Sequence, residues 1–416
     1  MSDQPTSPKP RDLPSGTTPG VTGSGFGWRG LPAGIWALGF VSMLMDVSSE
    51  MIHALLPVYL TVGLGATALA VGIIEGIAEA TAAITKVFSG ALSDRIGRRK
   101  ELATIGYGLA AIAKPVFPLA SGMDALIGAR FIDRIGKGIR GAPRDALVAD
   151  LAPEGRRGAA FGLRQSLDTL GAFLGPLLAI LLMWAFANDF RAVFWIAVIP
   201  AFMALGLIVF AVKEPPRPAG LRKVRNPLSR AELRLLGGIY WAIVGLATMF
   251  TLARFSEAFL ILRAEEVGLS LMLVPLVLVG MNAVYALSAL PAGVLSDRMD
   301  RPTLLMSGLV LLIAADLVLA LLPGVLGLGL GVMLWGLHMG LTQGLLSALV
   351  AEAVPSELRG TAFGMFNLIT GAAMLLASVI AGGLWQAFGS EATFLAGAAF
   401  ASIAMIGLIP LRRQLA

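Results

Sequence analysis

The side chains that could do chemistry sit where charge is least expected, inside long apolar runs. Between Leu31 and Leu60 lie Asp46, Glu50 and His53, spaced i, i+4 and i+7 and therefore on one face of a helix. Glu75, Glu79 and Lys86 make a second stripe. Arg130, Asp133, Arg134 and Lys137 make a third, followed by Arg140 and Arg144, and Arg164, Gln165 and Asp168 lie further on. The second half of the chain is sparser, with Arg254, Glu257, Asp316, His338 and Gln343. An ionised side chain at the centre of a bilayer costs about 2.5–3.5 kcal/mol on insertion scales, so such faces must look into a bundle or a watered cavity.

Three chemistries fit Asp46, Glu50 and His53. A carboxylate whose surroundings change can load and release a proton. The acids could instead be static partners of Arg130, Arg134 or Lys137. As a third reading they could bind a divalent metal as cargo, since carboxylate and imidazole suit Mn, Fe, Zn or Ni. Glu50-Met-Ile-His53 has the Glu-x-x-His spacing of metal sites in helix bundles, although the nearby cations oppose it. His338 and Gln343 suit hydrogen bonding between helices. An aromatic content of 7% gives no sign of a cage for a quaternary ammonium.

These residues need helices to position them. Of 416 residues, 56% are hydrophobic and 14% charged. Soluble domains run nearer 45–50% and about 25%, so the chain reads as an all-α, polytopic membrane protein. Cysteine is absent, which excludes disulfides and thiolate chemistry. The net charge of +6 resides in loops between apolar spans and does not point to nucleic acid. Residues 1–30 read as a disordered tail rather than a signal peptide, because the apolar run comes late and is too long.

Twelve spans are expected, near 31–60, 67–89, 101–120, 124–150, 158–185 and 191–212, then 235–262, 270–292, 302–322, 326–351, 360–386 and 391–411. They group into a first six-helix bundle over 31–212, a linker at 213–234, a second bundle over 235–411 and a short tail at 412–416. Lys and Arg cluster at 95–100, 156–157, 213–234, 298–301 and 412–413, whereas the opposite loops hold Arg191 and Arg263. That bias puts both termini in the cytoplasm. The halves repeat: Gly90-Ala-Leu-Ser-Asp94-Arg95 recurs as Gly293-Val-Leu-Ser-Asp297-Arg298, Ala146 to Asp150 recurs as Ala348 to Glu352, and Ser49-Glu50 recurs as Ser256-Glu257.

Over residues 31–411 the chain resembles the major facilitator superfamily. The run Gly90-Ala-Leu-Ser-Asp94-Arg95-Ile-Gly97-Arg98-Arg99-Lys100 is similar to that family's loop motif, which implies a conformational latch on Gly90, Asp94, Arg95, Gly97 and Arg98, with Asp297 and Arg298 as counterparts. The second copy departs at Asp300 and Pro302, implying a weaker latch. Arg130 to Gly138 looks like the family's fourth-helix motif, with Asp133, Arg134 and Lys137 as added charges. Gly162, Gly171, Gly175 and Pro176 resemble its antiporter signature without the final glycine pair, which implies export.

The resemblance further implies two six-helix bundles around a central cavity lined by His53, Arg130, Arg134, Lys137, Arg164, Gln165, Arg254 and Glu257. Proton coupling is expected at Asp46, Glu50, Glu75, Glu79 or Asp133, and Asp316 is expected to be structural. The expectation is a monomeric, proton-coupled exporter of the bacterial inner membrane, with a small-molecule or ionic substrate, no cofactor and no enzymatic activity. Alternatives are an ion-coupled importer, an exporter of anions held by Arg130, Arg134 and Arg164, or efflux of a divalent metal through Asp46, Glu50 and His53.

Overall fold

Apolar runs of this length can satisfy their backbone hydrogen bonds in lipid only as helices or closed barrels. The computed structural model describes residues 30–96, 98–153, 156–214, 233–296, 299–342, 345–355 and 358–415, and these form twelve helical spans. The first half holds α1 (Ala33–His53), α2 (Ala68–Ile96), α3 (Arg99–Ala113), α4 (Met123–Leu151), α5 (Arg157–Ala185) and α6 (Phe190–Ala211). The second holds α7 (Gly238–Ala253), α8 (Leu276–Ser296), α9 (Arg301–Leu321), α10 (Gly324–Thr342), α11 (Arg359–Phe388) and α12 (Ser390–Leu415). Among the described residues, ten spans are long and apolar enough to cross a membrane. The other two differ for separate reasons. Charges crowd α4, and the apolar part described for α8 is short, Leu276–Ser288. Residues 1–29 of the expected tail and 215–232 of the expected linker lie outside the described residues.

Among the described residues, three spans are interrupted where the sequence suggests continuous helices. The first turns at Ala54 and Leu55 and continues through Leu56–Val58 into a wide π-turn at Tyr59–Gly63. The third breaks at Lys114-Pro115 and resumes at Val116–Leu119, proline having no N–H to continue the ladder. The seventh unwinds at Arg254 and restarts as Ala258–Glu266, where Ser256 Oγ accepts the Ala258 N–H at 3.3 Å.

Packing follows the repeat. In the first half α1 lies on α5 and α6, α4 on α2 and α3, and α3 on α6; the second half repeats each pair as α7 with α11 and α12, α10 with α8 and α9, and α9 with α12. The halves meet where α2 packs on α11 and α5 on α8, two interfaces that the same repeat exchanges.

The terminal face is the one on which residues 30, 98, 156 and 214 lie. On the opposite face the halves close on each other. Gly72 of α2 lies directly against the Ser378 backbone of α11, and Ala68 and Leu69 pack on Gly382. Leu55 to Leu60 and Phe259 to Leu262 are buried there in one apolar core shared by both halves. Nearer the terminal face the first half has a separate core around Ile35, Leu38, Tyr107 and Leu163.

Candidate functional site

Close helix approach brings the charged faces together. A side chain on Gly171 of α5 would meet the Met43 carbonyl of α1 at 2.6 Å and the Asp46 Cβ at 3.1 Å. One on Gly175 would meet the Glu50 Cβ at 2.6 Å. Two glycines of the antiporter-like signature thus seat α5 on the stretch of α1 that carries the acids. Pro176 is buried in the same helix, while a side chain on Gly162 would enter open space. From the other side α2 holds α4, with Ser89 Oγ donating to the Gly138 carbonyl at 2.8 Å.

The deeper of two charged clusters joins α1, α2, α3 and α4. Arg130 Nη2 donates to Glu75 Oε2 at 2.6 Å, both side chains being almost wholly buried. His53 bridges acids from two helices, with Nδ1 3.2 Å from Glu50 Oε2 and Nε2 3.8 Å from Glu75 Oε2. Arg134 Nη1 reaches Glu79 Oε1 at 3.2 Å. Asp133 is held by Lys114, whose Nζ lies 2.9 Å from Oδ1 and also donates to Ser49 Oγ at 3.0 Å. Sequence reasoning missed Lys114. The signal was available, since a lysine before a proline within an apolar span is as anomalous as Asp46.

The second cluster lies nearer the terminal face. Asp46 faces Arg140 at 4.0 Å, and the Arg140 guanidinium rests 5.0 Å from the Tyr107 ring centre. Arg164 donates to Asp168 at 2.6 Å and to Gln165 at 2.7 Å. Arg144 donates to Ser42 at 3.0 Å and pairs with Asp145 at 3.1 Å. Buried ions at such depth are costly unless paired, and each Arg and acid named in these clusters has an oppositely charged or histidine partner within 4.0 Å.

Between the halves lies a cavity of about 290 Å³. The first half lines it with Glu50, His53, Glu79, Arg134 and Lys137. The second contributes the unwound part of α7, Arg254 to Glu257, together with Met374 of α11. Irregular backbone at membrane depth is sustained where it lines a cavity, and here it turns four successive residues toward one. The repeat-related Glu50 and Glu257 therefore share one space.

Several expected positions fall elsewhere. Arg130, Arg164 and Gln165 do not line this cavity; Glu75 and Asp168 hold the two arginines away from it. The divalent-metal alternative is not supported by the geometry. Asp46 turns to Arg140 rather than to Glu50 and His53, and among the described residues no group of three His, Asp or Glu is arranged to hold a metal. The side chains of Asp94 and Arg95, and all of Gly97, Asp297, Arg298 and Gln343, lie outside the described residues. Gly90 packs against Ala142 of α4, and Arg98 pairs with Glu101 of its own helix at 3.2 Å.

A different pair joins the same loops. Arg99 reaches Asp150 at 2.6 Å, and in the second half Arg301 pairs with Glu352. Each links the start of the third helix of its half to the end of the fourth.

A sequence model of the Major Facilitator Superfamily matches residues 38–281 and 246–415. The chain belongs to this family. It is a multi-pass membrane protein and a secondary transporter of a small-molecule substrate; it is not an enzyme, and transporters of this family need no cofactor. It is similar to an uncharacterized MFS-type transporter of Methanocaldococcus jannaschii, 32% identical over 388 residues, 92% of this chain and 95% of that one. It is also similar to the inner membrane transport protein YajR of Escherichia coli, 27% identical, covering 88% of this chain and 81% of that one. In fold it is similar to a solved POT family transporter in complex with a thioalcohol-conjugated peptide, with TM-score 0.79 and 14% identity, covering 94% of this chain and 98% of that one.

Proposed function

We propose that this transporter is a proton-coupled exporter of the bacterial inner membrane, with both termini cytoplasmic. The basic loops on the terminal face support that orientation. The seating of α5 on α1 through Gly171 and Gly175 supports the export reading, because the antiporter-like glycines lie directly on the acidic helix. A carrier with these two faces works by rocking one bundle against the other around a fixed site.

The observation that carries the coupling role is the setting of Glu50. Of the five candidate carboxylates, Asp46, Glu75, Glu79 and Asp133 each face an Arg or Lys within 4.0 Å. Among the described residues Glu50 faces only His53 at that range, and it lies on the cavity wall. Its other ionisable neighbours are Glu75 and Glu79 of α2, Arg134 and Lys137 of α4, and Arg254 and Glu257 of α7. Protonation shifts a two-state equilibrium only when its energy differs between the states. A carboxylate lodged between two bundles meets that requirement, since its second-half neighbours move away when the bundles rock.

In proteoliposomes with an internal pH dye and a panel of substrates, Glu50→Gln is expected to abolish substrate-linked proton movement while the protein stays folded and inserted. Asp46→Asn is expected to keep coupling. Coupling retained in Glu50→Gln and lost in Asp46→Asn would move the proton site to the second cluster. No proton movement with any substrate would end the coupling proposal.

A further inference from the structure

The cavity distinguishes charges that are already satisfied from charges that are not. Arg134 is held by Glu79, and Glu50 shares a hydrogen bond with His53. Lys137 and Arg254 also line the cavity, and among the described residues neither has a carboxylate within 4.0 Å. Glu257 lines it too, likewise without an Arg, Lys or His partner at that range. All four α4 arginines described above, Arg130, Arg134, Arg140 and Arg144, have a carboxylate within 4.0 Å, which sets Lys137 of the same helix apart.

The formal charges of the wall also balance: Arg134, Lys137 and Arg254 are matched by Glu50, Glu79 and Glu257. A lone anion would satisfy the unpaired cations but leave Glu257 uncompensated, and a lone cation would do the reverse. Both outcomes are costly in a space of reduced dielectric. A molecule carrying both charges answers both sets at once. Phe255 and Met374 supply an apolar wall for its body, and about 290 Å³ suits something of amino-acid size.

We infer that the cavity binds a small zwitterion, its anionic group held between Lys137 of the first half and Arg254 of the second, its ammonium group on Glu257, and its apolar part against Phe255 and Met374. The inference rests on reading this cavity as the transport site. Because Lys137 and Arg254 belong to different bundles, the same ligand bridges the halves, so its binding and their relative position are linked.

The test uses the full chain in detergent and two sets of isosteric probes. The first is phenylalanine, phenethylamine and 3-phenylpropionate; the second is leucine, isoamylamine and 4-methylvalerate. Thermal shift and calorimetry are expected to show at least one zwitterion binding about tenfold or more tighter than its amine and its acid. Lys137→Gln and Arg254→Gln should each bring zwitterion affinity down to that of the amine, and Glu257→Gln to that of the acid, with unliganded melting temperatures close to the parent's. An acid or an amine binding as tightly as its zwitterion overturns the inference, as does the absence of any zwitterion-induced shift in both sets. The outcome is separable from proton coupling: pH-driven movement of a singly charged compound would keep the coupling and remove the zwitterion. Zwitterion binding without proton movement would do the opposite.

Discussion

The two halves share one architecture and differ in how they are wired. In the first, α1, α2, α3 and α4 are tied by His53 between Glu50 and Glu75, by Glu75 with Arg130, by Glu79 with Arg134 and by Lys114 with Asp133. At the corresponding depth the described residues of the second half carry fewer charges: Arg254 and Glu257 at the cavity, and Asp316 and His338, which stand apart. Asp316 of α9 is fully buried against Gly397, and among the described residues neither of its oxygens has a hydrogen-bond partner. His338 of α10 meets the Gly308 carbonyl at 2.8 Å, and its ring lies tilted against Phe250 with centroids 5.4 Å apart.

The difference shows that the main helix pairs do not require the charge network, because the second half repeats α1 with α5 and α6, α4 with α2 and α3, and α3 with α6 without one. The charge network is therefore an addition to the fold. On the proposal above, it positions Glu50 and Lys137 at the cavity, while the second half presents Arg254 and Glu257 from an unwound turn.

The sharpest test of this contrast removes one buried partner from each half. Arg130→Met leaves buried Glu75 without its arginine, facing only His53 at 3.8 Å, and is expected to cost about 3–5 kcal/mol, read as a large fall in melting temperature in detergent. Adding Glu75→Leu should restore most of it, because a buried pair exchanged for apolar residues of similar volume is often neutral. Asp316→Leu should be neutral or stabilising by about 1–3 kcal/mol, since it removes an unsatisfied buried group. A loss in Asp316→Leu as large as that in Arg130→Met would break the contrast.

A smaller effect separates the repeated loop pairs. Arg99 and Asp150 are mostly shielded, and Arg99 also donates to the Ala146 carbonyl at 3.0 Å; Arg301 and Glu352 are more exposed. Arg99→Ala should lower the melting temperature more than Arg301→Ala, for which an exposed pair predicts about 1 kcal/mol or less. Equal losses would mean that the exposed pair has a role beyond its own attraction.

The smallest expected effect is at Asp300, which caps α9 by accepting from the Thr303 N–H at 3.1 Å. The Thr303 hydroxyl bonded to it, with the backbone N–H and Arg412 adding to the effect, holds its carboxyl below the usual carboxylate range. A depressed folded-state value stabilises the protein above the unfolded value of about 4, and that contribution is lost as pH falls through the folded value. The melting-temperature gap between parent and Asp300→Asn should thus be constant at neutral pH and narrow in acid. A gap that widens in acid would reverse the sign.

The sequence by itself determined the twelve spans, the repeat and the family, because apolar length and loop charge are local quantities that lipid enforces directly. It also singled out most of the charged residues, since each is anomalous within an apolar run. It did not determine which charges pair. Arg130, Arg134 and Lys137 lie on one helix within eight residues of each other, yet the first two reach α2 while the third is left to the cavity. Nor did it reveal that α7 unwinds at Arg254, because no proline or glycine marks the break. Those outcomes depend on how closely α5 seats on α1 and where α2 meets α11, distances of a few ångströms between segments more than a hundred residues apart. An ion pair exists or fails over such distances, so the fold could be read along the chain and the site only across it.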